Sequence, residues 1–128
     1  MDPQFFLPND RRLRALLEGL DRRERQLREQ IARRRGTLDD EGLTAEPTGD
    51  DADRAFTRDR ATVENDLIDL HLRELGQIEA ARRRAAEGSY GLCEDCGEPI
   101  GIGRLEAYPT ARRCAACQAR HEKLSAAT

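Results

Sequence analysis

The chain has 128 residues, a formal net charge of −3 and a charged fraction of 37%. Aromatics make up 4%, Trp is absent, and Leu, Ile, Val and Phe together number 24. A compact sphere of this length would bury a larger apolar set, so the composition favours an elongated, mostly helical chain with a thin core, and the small net charge argues against general disorder. No run approaches the roughly 18 apolar residues of a membrane span, and no basic segment followed by an apolar one opens the chain. A cytoplasmic protein that stays off the membrane is expected. The charge is uneven: residues 1–36 carry net +4 and residues 37–69 carry net −8. With a pI near 5.5, this is the wrong balance for a protein that coats nucleic acid.

Residues 1–8 form an N-terminal segment, read in part as an expression leader and left out of the fold. From Asn9 or Asp10, either of which can cap a helix, the pattern turns helical. Leu13, Leu17, Leu20, Glu24, Leu27, Ile31, Arg34 and Leu38 recur at alternating spacings of four and three, which is coiled-coil spacing. Gly36 and Gly42 weaken the distal end, and Pro47-Thr48-Gly49 stops the helix. A second helix is predicted from about Asp51 to Glu87, with Asp50, Asp51 and Asp53 in its first turn, where carboxylates suit the helix dipole. Val63, Leu67, Leu70, Leu75 and Ile78 supply its apolar stripe, and Gly88 ends it. One turn joins the arms, so residues 9–88 should fold back as a long antiparallel two-helix coiled coil with an acidic tip at 47–55. The tip reads from composition as a solvated helix cap.

Residues 89–128 form the second predicted domain. Cys93, Cys96, Cys114 and Cys117 follow the pattern C-x2-C-x17-C-x2-C. A C-x-x-C turn puts two sulfurs on one side of a loop, and two such turns make a tetrahedron suited to Zn²⁺. Gly91 and Gly97 flank the first pair, Ile100, Ile102 and Leu105 offer a small apolar face, and Cys114 to Ala127 reads as a closing helix. The set is complete without His71 or His121, so one structural zinc is preferred over a catalytic site, a redox pair or disulfides. The fold class is mostly α: a hairpin, a small four-Cys zinc finger and a C-terminal helix.

The segment Gly-Ser-Tyr-Gly-Leu-Cys-Glu-Asp-Cys-Gly (88–97), with Ile100-Gly101-Ile102, Arg104-Leu105-Glu106-Ala107, Pro109-Thr110 and Cys114 to Gln118, resembles the zinc finger of the DksA/TraR family. Asp50-Asp51-Ala52-Asp53-Arg54-Ala55 is similar to that family's D-x-x-D-R-A coiled-coil tip. The resemblance implies a non-enzymatic bacterial transcription regulator, a monomer that inserts the coiled coil into the secondary channel of RNA polymerase and alters initiation-complex stability. It assigns Asp50 and Asp53 as functional tip acids and Ala55 as the small tip residue. Family members that respond to ppGpp line a nucleotide site with basic side chains. The matching positions are Gln77, Tyr108 and Gln118, none cationic, which implies weak or absent ppGpp binding; the resemblance itself implies a regulator that binds polymerase with no direct sequence-specific DNA binding. Two rival functions stay open: a nucleic-acid-binding zinc finger using Arg112, Arg113 and Arg120, and a Gre-like transcript-cleavage factor whose acidic tip holds a second Mg²⁺.

Overall fold

Two glycines end the two long helices. The structure, a computed structural model, describes residues 11–127, so the expected cap at Asn9 or Asp10 and the segment 1–8 lie outside the described residues. Helix α1 spans Arg11–Asp40 and helix α2 spans Asp51–Glu87. A short α3 covers Ile102–Ala107 and α4 covers Ala115–Ala127. Among the described residues no strand forms; one isolated antiparallel bridge joins Leu92 and Pro99.

The second helix has the predicted bounds, but α1 stops seven residues before Pro47. At its end Gly42 takes φ 68°, its N–H donates to the Asp39 carbonyl at 3.1 Å, and the Leu43 N–H donates to the Leu38 carbonyl at 2.8 Å. These two bonds satisfy carbonyls that would otherwise be orphaned, in the arrangement of a Schellman cap. Gly88, with φ 80°, repeats it: its N–H reaches Ala85 at 3.2 Å and the Ser89 N–H reaches Arg84 at 2.8 Å. A proline is therefore unnecessary as the stop of α1, because a glycine free to adopt positive φ acts first.

The chain divides into two compact units. The first joins residues up to Arg22 with Gln77–Thr128, and the second is Arg23–Gly76. In the second unit α1 and α2 run antiparallel. Leu27, Ile31 and Leu38 of α1 and Ile68 and Leu75 of α2 are buried. Burial of each such side chain stabilises by roughly 1.5–3 kcal/mol, so this seam supplies much of what holds the pair.

The seam on α2 differs from the predicted stripe. Val63 is 57% exposed and Leu70 is 54% exposed, whereas Ile68 is 5% exposed. The inward positions are Glu64, Ile68, His71, Leu75 and Ile78, at spacings of four, three, four and three. Two of the five are polar, which hides this face from an apolar count. Glu64 is answered across the seam, where Arg34 Nη1 donates to it at 3.1 Å, and beside the seam Arg23 holds Glu74 through Nε at 2.6 Å and Nη2 at 3.0 Å. A third ion pair joins Arg60 to Glu41. Val63 and Leu70, with Phe56 at 65% exposure, form a second apolar line on the outer face, seven residues apart.

In the first unit Leu13 and Leu20 of α1 and Ile78 and Ala81 of α2 are buried, and Arg82 pairs with Asp21 at 2.5 Å. The finger segment adds Tyr90, Ile100, Leu105 and Ala111. Tyr90 donates its hydroxyl to the Pro109 carbonyl at 2.8 Å, and burial pushes its pKa up to about 12. Arg84 reaches the Thr110 carbonyl at 3.4 Å. Ile100 and Leu105 are buried as the sequence predicts, while Ile102 is only partly covered.

Candidate metal centre and acidic tip

The four cysteines come from one tight turn and one helix start. After Cys93 the chain reverses: the Gly97 N–H donates to the Cys93 carbonyl at 2.9 Å, and the Cys93 N–H donates to the Glu98 carbonyl at 2.8 Å. Cys114 immediately precedes α4, its carbonyl accepting the Gln118 N–H at 2.9 Å, and Cys117 lies in the first turn. The Cys117 N–H points at the Cys114 Sγ, 3.5 Å away. Arg113 clamps the two halves. Its side chain donates to Asp95 at 2.8 Å and pairs with Glu94 at 2.9 Å, while the Glu94 N–H meets the Arg112 carbonyl at 2.9 Å.

The four Sγ atoms lie within 4.8 Å of one another, with Cys96 and Cys114 at 4.0 Å. A tetrahedral zinc with Zn–S bonds near 2.3 Å needs sulfurs roughly 3.8 Å apart, so the cluster fits. Disulfides need sulfurs about 2 Å apart, and all four cysteines are free. The protonation pattern points the same way. Burial pushes the Cys93 thiol up, but the backbone N–H groups of Cys96, Cys114 and Asp95 outweigh it and hold the thiol at about 6. The Cys117 thiol is pushed up to about 12 by hydrogen bonding to Cys114, by burial and by the other sulfurs. Four sulfurs this close cannot all be thiolates without a cation among them, and a divalent ion with a preference for sulfur removes the conflict. Arg120 adds a positive edge, with Nη2 3.3 Å from Cys117 Sγ.

Of the three arginines that the nucleic-acid reading would set on phosphates, Arg113 is committed within the finger, whereas Arg112 and Arg120 stay exposed. Arg113 is taken by Glu94 and Asp95, Arg112 sits 3.9 Å from Glu94, and Arg120 faces the sulfur. Of the positions matched to the ppGpp site, Gln77 and Tyr108 are exposed, and Gln118 donates to Glu122 at 3.0 Å.

The acidic tip is built around a cap. Asp50 Oδ1 accepts the Asp53 N–H at 2.8 Å, and the Asp50 carbonyl accepts the Arg54 N–H at 2.9 Å. Asp50 is therefore the N-cap of α2 rather than part of its first turn, which begins at Asp51. Arg54 folds back, Nε to the Gly49 carbonyl at 3.1 Å. Asp50, Asp51, Asp53 and Ala55 are all exposed. The feature that sequence reasoning missed is the polar part of the seam. His71 Nε2 is buried and has no hydrogen-bond partner. The signal for it was present in the heptad spacing Glu64, His71 opposite Arg34, which apolar counting passes over.

Comparison with known proteins adds the family context. Residues 88–123 match the family described as the prokaryotic dksA/traR C4-type zinc finger. The chain is 44% identical over 72 residues to the RNA polymerase-binding transcription factor DksA of Caulobacter vibrioides, covering 56% of this chain and 51% of that one. It is 33% identical over 93 residues to the protein of the same description from Escherichia coli K12, covering 73% of this chain and 60% of that one. The chain thus spans little more than half the length of the curated relatives it matches. Among solved structures, transcription factor DksA2 of Pseudomonas aeruginosa superposes with a TM-score of 0.77 at 28% identity, covering 98% of both chains. The finger, with its one structural zinc, the paired helices and these likenesses agree: the chain belongs to the DksA/TraR family.

Proposed function

We propose that this protein is a bacterial transcription regulator that binds RNA polymerase in its secondary channel and alters the stability of initiation complexes. The observation that carries the reading is the exposed acidic turn, Asp50 to Ala55, closing an antiparallel helix pair in a chain that also holds the C4 finger. The curated relatives are described as RNA polymerase-binding transcription factors. In this reading Cys93, Cys96, Cys114 and Cys117 hold the zinc, which orders the finger and performs no chemistry. Asp53 and Ala55 form the working tip. Asp50 contributes a charge but is also the cap that starts α2. The protein acts as a cytoplasmic monomer with no enzymatic activity of its own.

Action without ppGpp belongs to the same proposal. A phosphate-rich ligand needs cationic partners for strong charge-assisted bonds. Gln77 and Tyr108 cannot supply them, and Gln118 is bonded to a carboxylate.

The test pairs binding with activity. Asp50→Asn keeps the cap, because Asn caps helices as well as Asp does. The double variant Asp50→Asn, Asp53→Asn should therefore keep RNA polymerase pull-down within a few-fold of wild type and lose the effect on open-complex lifetime. Retained inhibition of a sensitive promoter would reduce the tip to a solvated cap. Transcript cleavage in stalled elongation complexes would replace the proposal with the Gre-like reading. A large synergistic response to ppGpp, with polymerase lacking its other ppGpp site, would remove the claim of independence.

A further inference from the structure

The flank of the second unit carries a polar cavity that the tip and the finger do not explain. It has a volume of about 590 Å³ and lies in the groove between α1 and α2. Three arginines line it, Arg23, Arg33 and Arg34, against one carboxylate, Glu64. Glu74, just outside the lining, pairs with Arg23, so the local balance is net +1, inside a unit whose sequence carries 10 basic and 14 acidic side chains. We propose that this cavity binds a small oligophosphate anion, of the class of pyrophosphate or a nucleoside diphosphate.

Three observations carry the assignment. Arg23 and Arg34 are fixed by carboxylates, Glu74 at 2.6 Å and Glu64 at 3.1 Å, yet each keeps guanidinium donors beyond those bonds. Their charges are therefore held in place while part of each fork stays available, which is preorganisation for an anion. The Arg33 guanidinium has no carboxylate partner among the described residues; the Thr37 hydroxyl at 3.1 Å bonds its backbone carbonyl and leaves the side chain alone. His71 lines the cavity with its ring, while its Nε2 is covered by protein and takes no part in the site. Gln30 adds a side-chain amide to the same wall.

Size and surroundings narrow the class. The volume falls in the range of small-molecule sites, roughly 300–1,000 Å³. Arg23 and Arg34 are eleven residues apart on one helix, about 16 Å along its axis, which is the reach of a nucleoside diphosphate. The net negative unit around the cavity repels a long polyanion such as RNA, whereas a short one meets only the local positive field.

Calorimetry on the isolated zinc-loaded protein at about 0.05 M salt tests this, titrating inorganic pyrophosphate and, separately, ADP. One-to-one binding is expected for at least one of them. Arg33→Gln should weaken it by roughly tenfold or more, the loss of one charge-assisted bond. Arg73→Gln, which removes an equal charge from an exposed α2 position outside the cavity, should leave it unchanged. Circular dichroism on both variants confirms equal helix content. Tighter binding of ADP would assign the site to nucleotides, and equal or tighter binding of pyrophosphate would assign it to inorganic oligophosphates. No binding of either anion, or equal weakening in both variants, would overturn the proposal.

Discussion

His71 shows how a single side chain can be both legible and misread. Its position was visible, three residues after Ile68 and four before Leu75, but imidazole does not register in an apolar count. The structure puts its Nε2 out of solvent and without a partner. An unmet buried polar atom costs about 1–3 kcal/mol, and a Leu at this heptad position would remove the atom and fill the same space. His71→Leu should therefore raise the melting temperature by several degrees, read by thermal circular dichroism; an unchanged or lower value would mean that the ring already has a partner in solution. The cysteines were legible for the opposite reason. Metal ligation imposes spacing locally, so four residues in two C-x-x-C pairs announce the cluster before any tertiary contact is known. Asp50 lay between these cases. Its acidity was plain, but its role as the cap depends on which residue starts α2, and helix starts are set by side-chain hydrogen bonds that composition does not display.

The two long helices obey local rules at their ends and mutual rules along their lengths. The end of α1 was misplaced because proline seemed the stronger stop, whereas Gly42 at φ 68° completes a hydrogen-bonded cap first. Gly42→Ala must force a Cβ into positive φ and should lower stability by about 1 kcal/mol, measurable as a shift in the urea midpoint without a change in slope. The α2 stripe was misphased because Val63 and Leu70 are strong apolar signals, while the true inward face includes Glu64 and His71. Only the partner helix, through Arg34, reveals that Glu64 belongs inside. Glu74 gives this seam a pH dependence. The hydrogen bond from Arg23 holds its carboxyl below the ordinary value of 4.5, against an opposing effect of burial. A depressed carboxyl stabilises the fold above its unfolded value and loses that contribution as pH falls through the folded one. The stabilisation should be complete above about pH 5 and disappear in more acidic solution. Both side chains are more than a third exposed, so the effect is a few tenths of a kcal/mol. Glu74→Gln should flatten the acid limb of the stability profile by that amount.

At the scale of the molecule, stability comes from two different sources. The second unit rests on a narrow apolar seam reinforced by ion pairs. The finger segment of the first unit buries only Tyr90, Ile100, Leu105 and Ala111 besides its cysteines. So few apolar side chains do not order a segment of this length, and metal ligation supplies the remainder. Chelation of zinc should melt α3 and α4, which hold 19 helical residues, and spare most of α1 and α2, which hold 67. The far-UV helix signal is expected to fall by about a fifth, and Cys114→Ser should reproduce the loss without chelator. Collapse of the whole helical signal would show that the long helices depend on the metal as well. The fold class was readable from sequence because coiled-coil periodicity and metal spacing are both repetitive signals. The cavity beside Arg33 was not, because it exists only where residues 23–37 and 64–71 come together.

The ion pairs Arg23–Glu74, Arg34–Glu64 and Glu41–Arg60 also act as a ruler. Sliding α2 by one heptad would set Arg23 opposite Leu67, Arg34 opposite Thr57 and Glu41 opposite Asp53, so two attractions vanish and one becomes a repulsion. Evolution can therefore lengthen or shorten this hairpin only by matched steps, the same number of heptads removed from or added to each arm. Natural variants of unequal arm length should be rare, and those that occur should carry rewritten charges at all three rungs.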